Sequence, residues 1–506
     1  MLDSLGQLGS AFAGFMNPHT LFNVIWATFL GIVIGALPGL TATMGVALLT
    51  TLTFSMPHNE AIMVLICIYV GAIYGGSRSA ILLNIPGTPA SAASTLDGYP
   101  LARKGMAGRA MGISTSGSWL GTLFGILCLA LLTPVLSEFA LRFQSFEFFW
   151  IAVFGVVVAG TLAGGDPLKG YLAGFFGLWI ATIGQEPYYN YQRYAFGFTD
   201  LAGGIGLLPA LVGAYGVAEV LQAMRGPAVK AVVNKIDSIV PRIEDVLKYW
   251  RTIFRSGAIG VWIGILPGLG EDAAAWSSYA AARRASKEKD QFGKGSIEGL
   301  MAAETGEAAS VPGAIIPVLT LALPGSAPAA VLMAAMMIHG LNPGPNLMLE
   351  SPQFFYQIIA MLVIADMSKL IFGFILVRPL IKILLVPRER LMPVVFVLCV
   401  VGSFAITSRV FDIYVMLVFG LIGFVMRELK FNMAPLILGL VLGDLLEKNL
   451  TRGLVLSDGS LLPFFTRPVC AVLAALTIVS IVWSIPGVSE RVRSLFRRPA
   501  AAGDKH

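Results

Sequence analysis

Charged residues are scarce in this sequence, and their scarcity excludes most classes of soluble protein. Only 13% of the 506 residues are Asp, Glu, Lys or Arg, whereas soluble globular proteins carry about 25%. Cysteine and histidine are also rare, with four of each. The cysteines lie in apolar stretches without a C-x-x-C pair, which indicates core residues and not metal ligands, redox centres or a disulfide framework.

The apolar residues that replace the missing charge form long continuous runs. Hydrophobic residues make up 56% of the chain, and the mean hydropathy is +0.78. Since a crossing helix needs roughly 20 apolar residues, we predict an all-α polytopic membrane protein with about 12 transmembrane helices and additional re-entrant or broken helices. The net charge of +6 could suggest a nucleic-acid partner. The basic residues instead occupy short loops between the runs, so we expect a lipid bilayer and no nucleic acid.

One polar stretch divides the apolar runs into two groups. Residues 225–255 contain seven Lys or Arg residues, which predicts a cytoplasmic segment by the positive-inside rule. We therefore predict a first transmembrane repeat at 1–224, a cytoplasmic linker at 225–255, a second repeat at 256–468, and a C-terminal helix with a basic tail at 469–506.

The two groups of apolar runs contain similar sequence motifs. "GIVIGALPGL" at 31–40 and "GVWIGILPGL" at 260–269 match at seven of ten positions. A second pair of similar motifs, "IPGTP" at 85–89 and "LPGSA" at 323–327, follows the first pair in the same order. The first repeat follows a segment without Lys or Arg, whereas the second directly follows a basic one, so their opening helices should enter from opposite sides. Two inverted repeats are therefore predicted, an architecture of many secondary transporters.

The first pair of Pro-Gly stretches predicts unwound backbone inside the membrane. Proline removes an amide donor and glycine tolerates positive φ, so each stretch can end one half-helix and begin another. Helix-start amides attract anions, and freed carbonyls can ligate cations. The alternative to a binding site is a proline kink that affects only the packing of the helices. The predicted substrate-binding residues are Pro38, Gly39, Leu40, Thr41 and Thr43 in the first stretch and Gly268, Leu269 and Gly270 in the second.

The second pair, "LLNIPGTPASAAST" and "LALPGSAPAA", predicts tight turns followed by small hydroxyl residues. Such turns suit the tip of a hairpin that closes on a carboxylate or hydroxyl ligand. Ser and Thr after a turn are also ordinary helix caps, which is the alternative interpretation. The predicted substrate-binding residues are Asn84, Pro86, Gly87 and Thr88 in the first half and Pro324, Gly325 and Ser326 in the second.

Ionisable residues inside apolar segments are expensive, so each raises a functional hypothesis. They include Glu304 and Glu307, together with Arg78 and the pair Asp366 and Lys369, whose two members could neutralise each other. Glu304 is favoured for an ion or substrate role. With Thr43 and Asp272 it forms the predicted set of sodium ligands.

Enzyme signatures are lacking: the sequence contains neither an H-E-x-x-H zinc pair nor a G-x-x-x-x-G-K-[ST] phosphate loop. We therefore predict no catalytic residues, no enzyme activity and no cofactor. A coupling cation, Na⁺ or H⁺, is the expected exception.

The Pro-Gly motifs and their surroundings resemble those of the large membrane subunit of tripartite tricarboxylate transporters. The resemblance rests on "YGGSRSAILLNIPGTPASAASTLDGYP", "GILPGLGEDAAAWSSY", "FGKGSIEGLMAAETGEAA" and "APLILGLVLGDLLEKNL", and it extends over roughly residues 20–468. It implies a multi-pass permease of the bacterial inner (cytoplasmic) membrane. It also implies a small membrane subunit of about four helices and a periplasmic solute-binding protein that delivers a small organic anion, such as a citrate-like tricarboxylate.

We thus expect a secondary, cation-coupled permease in which the four Pro-Gly stretches form one site at the bilayer midplane. The segments at 354–377 and 391–426 could serve as scaffold or as the contact of a homodimer. The alternative is a non-transporting membrane scaffold or receptor that docks a periplasmic binding protein.

Overall fold

The computed structural model describes most of the chain. The described residues are 2–37, 39–162, 166–186, 190–225, 243–376, 379–380, 382 and 388–484. Pro38, most of the predicted linker (226–242) and the basic tail (485–506) lie outside them.

Helices dominate the described residues, as an apolar chain requires, because a helix satisfies its own backbone hydrogen bonds in lipid. Those of the first half are α1 (Leu2–Phe15), α2 (Pro18–Ala36), α3 (Ala42–Leu52), α4 (His58–Leu83), α5 (Ala92–Leu101), α6 (Ala107–Ala140), α7 (Ser145–Leu162), α8 (Pro167–Ala181), α9 (Thr199–Ala202), α10 (Leu207–Leu211) and α11 (Ala218–Arg225). Those of the second half are α12 (Ile243–Lys248), α13 (Trp250–Ile265), α14 (Gly270–Ala285), α15 (Ile297–Leu321), α16 (Ala327–Ile338), α17 (Leu347–Glu350), α18 (Pro352–Ile375), α19 (Arg388–Thr407), α20 (Val410–Glu428), α21 (Met433–Leu456), α22 (Pro463–Thr466) and α23 (Pro468–Ser484).

Short irregular elements interrupt or connect these helices. π-helical turns join α5 to α6 (Ala102–Met106) and α10 to α11 (Val212–Val217), and a 3₁₀ turn covers Lys289–Gln291. Strands β1 (Gly184–Gln185) and β2 (Gln192–Arg193) form an antiparallel pair between α8 and α9.

Several helices are long and apolar enough to cross a bilayer, which confirms the predicted all-α polytopic membrane fold. Among the described residues, six helical segments meet that criterion by length and composition. They are Pro18–Ala36, His58–Leu83, Ala92–Ala140, Leu207–Met224, Pro352–Ile375 and Val410–Glu428. Shorter apolar helices such as α3, α7, α16 and α23 lie among them.

α2 and α3 form a re-entrant hairpin. Gly31 packs on Ile68 and Gly35 on Ala72, so α2 and α4 run in the same direction. Since α4 begins soon after α3 ends, α3 must return to the end of the bundle where α2 started. The first Pro-Gly stretch therefore forms the tip of a helical hairpin and not a break within one crossing helix.

α13 and α14 form a second hairpin of the same kind. Gly260 packs on Gly306 and Gly264 on Ser310, so α13 and α15 are parallel. The turn after α14 brings Ser286 within 2.6 Å of Glu298, at the start of α15.

The two hairpins point in opposite directions. α6 is antiparallel to α4, because Arg78 bonds to Ser114 while Tyr74 bonds to Thr115 and the connected chain must reverse between the two helices. α6 is parallel to α15, as the contacts of Gly117, Gly121 and Gly125 with Met301, Thr305 and Ala309 show. Consequently α4 and α15 are antiparallel, which is the orientation expected of inverted repeats.

Matching helix ends accompany this reversal. α4 ends at Asn84 (φ 59°) and α15 ends at Ala322 (φ 56°), each in the left-handed conformation that stops a helix. Two residues later each chain reaches its Pro-Gly turn. The similar spacing of the Pro-Gly motifs in the two halves of the sequence therefore reflects the same backbone conformation in both halves.

Basic residues concentrate at one end of the bundle, which we call the basic end. α13 and α15 begin there, and α5 and α14 end there. Its Lys and Arg residues include Lys104, Lys248 and Lys289, and Arg109 is paired with Asp245 at 2.8 Å. The positive-inside rule predicts that the basic end faces the cytoplasm.

The orientation predicts opposite labelling of two exposed positions. Lys289→Cys at the basic end should react with a membrane-impermeant maleimide only after the cytoplasmic face is opened. Phe196→Cys, in the loop that follows β2, should react in intact cells. The background should be low, because Cys67, Cys399 and Cys470 are buried and Cys128 is partly buried. Reversed accessibility of the two variants would contradict the assigned orientation.

Candidate functional site

Both hairpin tips and both Pro-Gly turns meet at one cavity of about 780 Å³. Most of the predicted binding residues lie in its wall. The predicted residues that line the cavity are Gly39, Thr41, Thr43, Pro86, Gly87, Thr88, Gly268, Leu269, Gly270, Asp272 and Ser326. Residues that are 229 positions apart along the chain, such as Gly39 and Gly268, thus share one site.

Glycine permits the sharp reversal at each hairpin tip. Gly39 has φ 97° and Gly268 has φ 79°, a region that side chains with a Cβ rarely adopt. The second tip is also tied to the neighbouring turn, because the Gly268 amide donates to the Gly325 carbonyl at 3.0 Å.

Four of the described helices begin at the cavity wall: α3, α14, α16, and α21, whose first residue Met433 follows the cap Asn432. Thr41 caps α3 by accepting from the Met44 amide at 3.2 Å, and Ser326 caps α16 by accepting from the Ala329 amide at 3.3 Å. Gly270 is the first residue of α14. The capping role that was the alternative for the hydroxyls of the second pair is therefore present at Ser326, but Ser326 also lines the cavity, as does the cap Thr41. Helix starts carry partial positive charge and amides that only partly find a partner in these caps, which favours an anion. In α14 the first turn also carries the carboxylates of Glu271 and Asp272.

The Pro-Gly turns pack too closely for any side chain. A Cβ at Gly87 would overlap the Gly35 carbonyl oxygen, and a Cβ at Gly325 would overlap that of Gly264. The Gly87 amide bonds to Gly76 in the adjacent long helix, at 3.2 Å. Each turn is therefore packed tightly between its hairpin and its long helix. This packing fixes the position of the hairpin tip along the long helix.

Some predicted residues lie away from the cavity. Leu40 is buried in the apolar core and Asn84 is an exposed helix cap. Pro324 and Gly325 are buried behind Ser326, with the Gly325 amide bonded to Ala314 at 3.4 Å. These positions shape the turns without reaching the cavity. Pro38 lies outside the described residues.

The three predicted sodium ligands are not brought to one place. Thr43 and Asp272 line the cavity, and Asp272 is exposed to it. Glu304 is buried on α15, where it lies beside Arg78 and the hydroxyls of Ser77, Ser94 and Ser114. Among the described residues, no group of three or more His, Cys, Asp or Glu side chains is arranged to hold a metal.

A second carboxylate at the cavity is held by hydroxyl donors. Tyr69, buried in α4, donates to Glu271 and lies 2.7 Å from the Ser326 hydroxyl. This bridge joins α4 of the first half to α14 and α16 of the second. Asp272, the next residue, has no such link to another described residue, and it is exposed in the cavity wall.

Cationic residues at the cavity were missed by the sequence analysis. Arg427 and Lys430, at the end of α20, lie in its wall, and Arg427 is paired with Glu219. Lys430 is exposed and has no ion-pair partner among the residues that the structure describes. In the sequence these residues belong to a short basic loop, a pattern that signals topology as readily as a site.

Comparisons with known proteins agree with this architecture. The sequence profile of the tripartite tricarboxylate transporter TctA family matches residues 21–438. An uncharacterized 52.8 kDa protein from the TAR-I ttuC′ 3′ region of Agrobacterium vitis is 34% identical over 501 residues, which cover 98% of this chain and 99% of that protein. A second uncharacterized protein, from the TAR-II ttuC′ 3′ region of the same organism, is 32% identical over 238 residues, which cover 47% of this chain and 98% of that protein.

The tightly packed glycine provides a test of the cavity as the site. Gly87→Leu should abolish transport while the protein still inserts into the membrane, because overpacking costs about 1–3 kcal/mol and displaces the turn. Gly14→Leu is the matched control, since nothing lies within 4 Å of its added Cβ. Transport and membrane abundance should be measured together for both variants. Normal transport by Gly87→Leu would remove this turn from the mechanism.

Proposed function

The chain belongs to the tripartite tricarboxylate transporter TctA family, and from this premise we propose that it is the permease subunit of a secondary transporter that imports a small organic anion. The anion is a tricarboxylate or a related carboxylate. Transport and a multi-pass membrane location follow from the family and the helices. The substrate class, the coupling ion and the inner membrane of a bacterium are parts of the proposal.

The observation that carries the proposal is the composition of the cavity. Helix starts at Thr41, Gly270 and Ser326 supply amides and positive dipole ends. Lys430 adds formal positive charge, whereas Arg427 is paired with Glu219, which also lines the cavity together with Glu271 and Asp272. A carboxylate accepts hydrogen bonds from amides and hydroxyls and is attracted by cations, so the wall suits an organic anion better than a neutral solute.

A cation gradient is the proposed source of energy. Asp272 and Thr43 offer a carboxylate and a hydroxyl in the same cavity, and hard cations such as Na⁺ prefer oxygen ligands. Sodium is therefore the first proposed coupling ion and the proton is the second. Binding of a cation beside Asp272 would lower the repulsion between this carboxylate and an incoming anion.

The proposed partners follow from the tripartite family. A small membrane subunit of about four helices would pack on the apolar outer face, and a periplasmic solute-binding protein would deliver the anion at the end opposite to the basic end. Two copies of the chain would form a homodimer. No nucleic acid and no catalytic residue enter the proposal.

Uptake into membrane vesicles tests this function. With the binding protein and the small subunit present, labelled citrate should accumulate when an inward sodium gradient is imposed, and much less without it. Accumulation that is independent of sodium and proton gradients would contradict the coupling. No uptake of any tricarboxylate or dicarboxylate with any supplied binding protein would favour the non-transporting scaffold or receptor.

Lys430 should contribute mainly to anion affinity. Lys430→Ala should raise the apparent KM for citrate by about tenfold, which corresponds to ~1.4 kcal/mol, because one cation facing the cavity is removed. The effect should shrink at high ionic strength, where the attraction is screened. Lys289→Ala, at the basic end and outside the cavity, should leave KM unchanged. Equal KM values for both variants would exclude Lys430 from anion binding.

A further inference from the structure

A buried cluster of charged side chains lies behind the cavity. It contains Arg78 of α4, Glu304 and Glu307 of α15, and Asp366 and Lys369 of α18, each at most 2% exposed. Burial of charge in a membrane protein is costly unless each charge is paired. The partners of each group therefore decide its ionisation state.

Both cations of the cluster are well partnered. Arg78 donates to the Met111 carbonyl at 3.2 Å and to the Ser114 hydroxyl at 2.9 Å, and it lies 3.9 Å from the centre of the Tyr74 ring. Lys369 contacts Asp366 at 2.7 Å and donates to Thr122 at 2.8 Å. The charge of Arg78 also attracts the carboxylate of Glu304. These interactions leave one carboxyl group of the cluster without a cation of its own.

Glu307 is that group. Neither of its carboxylate oxygens has a hydrogen-bond partner among the described residues, although the side chain is only 2% exposed. An ionised carboxylate without a donor in such surroundings would carry a desolvation cost of several kcal/mol. A protonated carboxyl group avoids that cost.

The charges around Glu307 favour the neutral form as well. On its own helix it faces Glu304, on α14 it faces Asp272 and Glu271, and on α18 it faces Lys369. Three acidic neighbours against one cation make a second negative charge on α15 unfavourable. α6 contributes hydroxyls to the cluster at Ser114 and Thr122, and α13 contacts this part of α15 through Gly260 and Gly264.

From this geometry we propose that Glu307 is a proton-binding site that couples to anion binding in the cavity. The proposal rests on the transport function proposed above. Protonation converts the carboxylate of Glu307 from a charge of −1 to 0, and the proton comes from hydronium in the aqueous solution, which leaves water.

The coupling follows from electrostatics. An ionised Glu307 would add a negative charge near Glu271 and Asp272, which line the cavity, and would therefore disfavour an incoming anion. Protonation removes this charge, so a protonated Glu307 favours anion binding. By thermodynamic linkage, anion binding must favour protonation of Glu307 to the same extent. The two ligands would therefore enter and leave the cavity together.

The proton itself should be measured first, without transport. In the purified full-length protein in lipid nanodiscs, infrared difference spectra between wild type and Glu307→Gln should contain the C=O stretch of a protonated carboxyl group, lost in the variant. Glu298→Gln is the matched control on the same helix: Glu298 accepts from Thr252 and Ser286 at 2.6 Å and lies 3.9 Å from Arg255. Because its oxygens already have donors, its removal should not alter that band. An unchanged band in Glu307→Gln would overturn the proposal.

A second measurement needs no variant. A hydrophobic carbodiimide reacts with protonated carboxyl groups in apolar surroundings, so peptide mapping of the treated wild-type protein should find the adduct at Glu307 and not at Glu298. Loss of the adduct when NaCl replaces choline chloride would instead identify a bound sodium ion and overturn the proton assignment. An adduct confined to Asp272 would also overturn it.

Transport then separates this inference from the proposed function. Citrate uptake by wild type should fall as the pH rises, because deprotonation of Glu307 adds a negative charge, whereas Glu307→Gln should lose this pH dependence. Failure of all uptake would refute the proposed function while leaving the infrared band and the adduct in place. Uptake without a Glu307 band would refute only the proton site.

Discussion

Backbone polar groups placed inside a bilayer must find partners, and this requirement governs the arrangement of the whole molecule. At the two hairpin tips the helical hydrogen bonds stop in the interior, and the freed groups are accommodated by close packing of glycine on neighbouring backbone. The Gly268 amide is paired with the Gly325 carbonyl, and Gly87 with Gly76. Without such pairing, irregular backbone at this depth would not be tolerated.

The same pairing places helix starts around one cavity. Because the two hairpins point in opposite directions, α3 and α16 leave the cavity toward one end of the bundle, whereas α5 and α14 leave it toward the other. The amides at Thr41, Gly270 and Ser326 therefore converge from both halves of the chain. The buried Tyr69 links the halves through Glu271 and Ser326. An anion held there would contact both repeats, which is the condition for alternating access around a fixed site.

Much of this arrangement could be predicted from the sequence, because it depends on residue types with narrow roles. Low charge and long apolar runs predict membrane helices, and the repeated Pro-Gly motifs predict interrupted backbone. The return of α3 and α14 to the ends of the bundle where α2 and α13 begin could not be predicted. Short apolar helices that cross the membrane have compositions similar to those of short apolar helices that re-enter it. Arg427 and Lys430 resemble ordinary loop cations, and only the fold brings them to the cavity. The sequence shows Glu304 as an isolated acidic residue in an apolar segment, whereas its electrostatic interaction with Arg78 depends on helix packing.

The most direct measurement of the central claim is an electron cryo-microscopy structure of the full chain in lipid nanodiscs with citrate present. The account predicts density for the anion between the tips at residues 39–43 and 268–272, at mid-membrane depth and within hydrogen-bonding reach of the helix starts. Anion density elsewhere, Pro-Gly stretches located at the headgroup surface, or uninterrupted helix through either tip would contradict it.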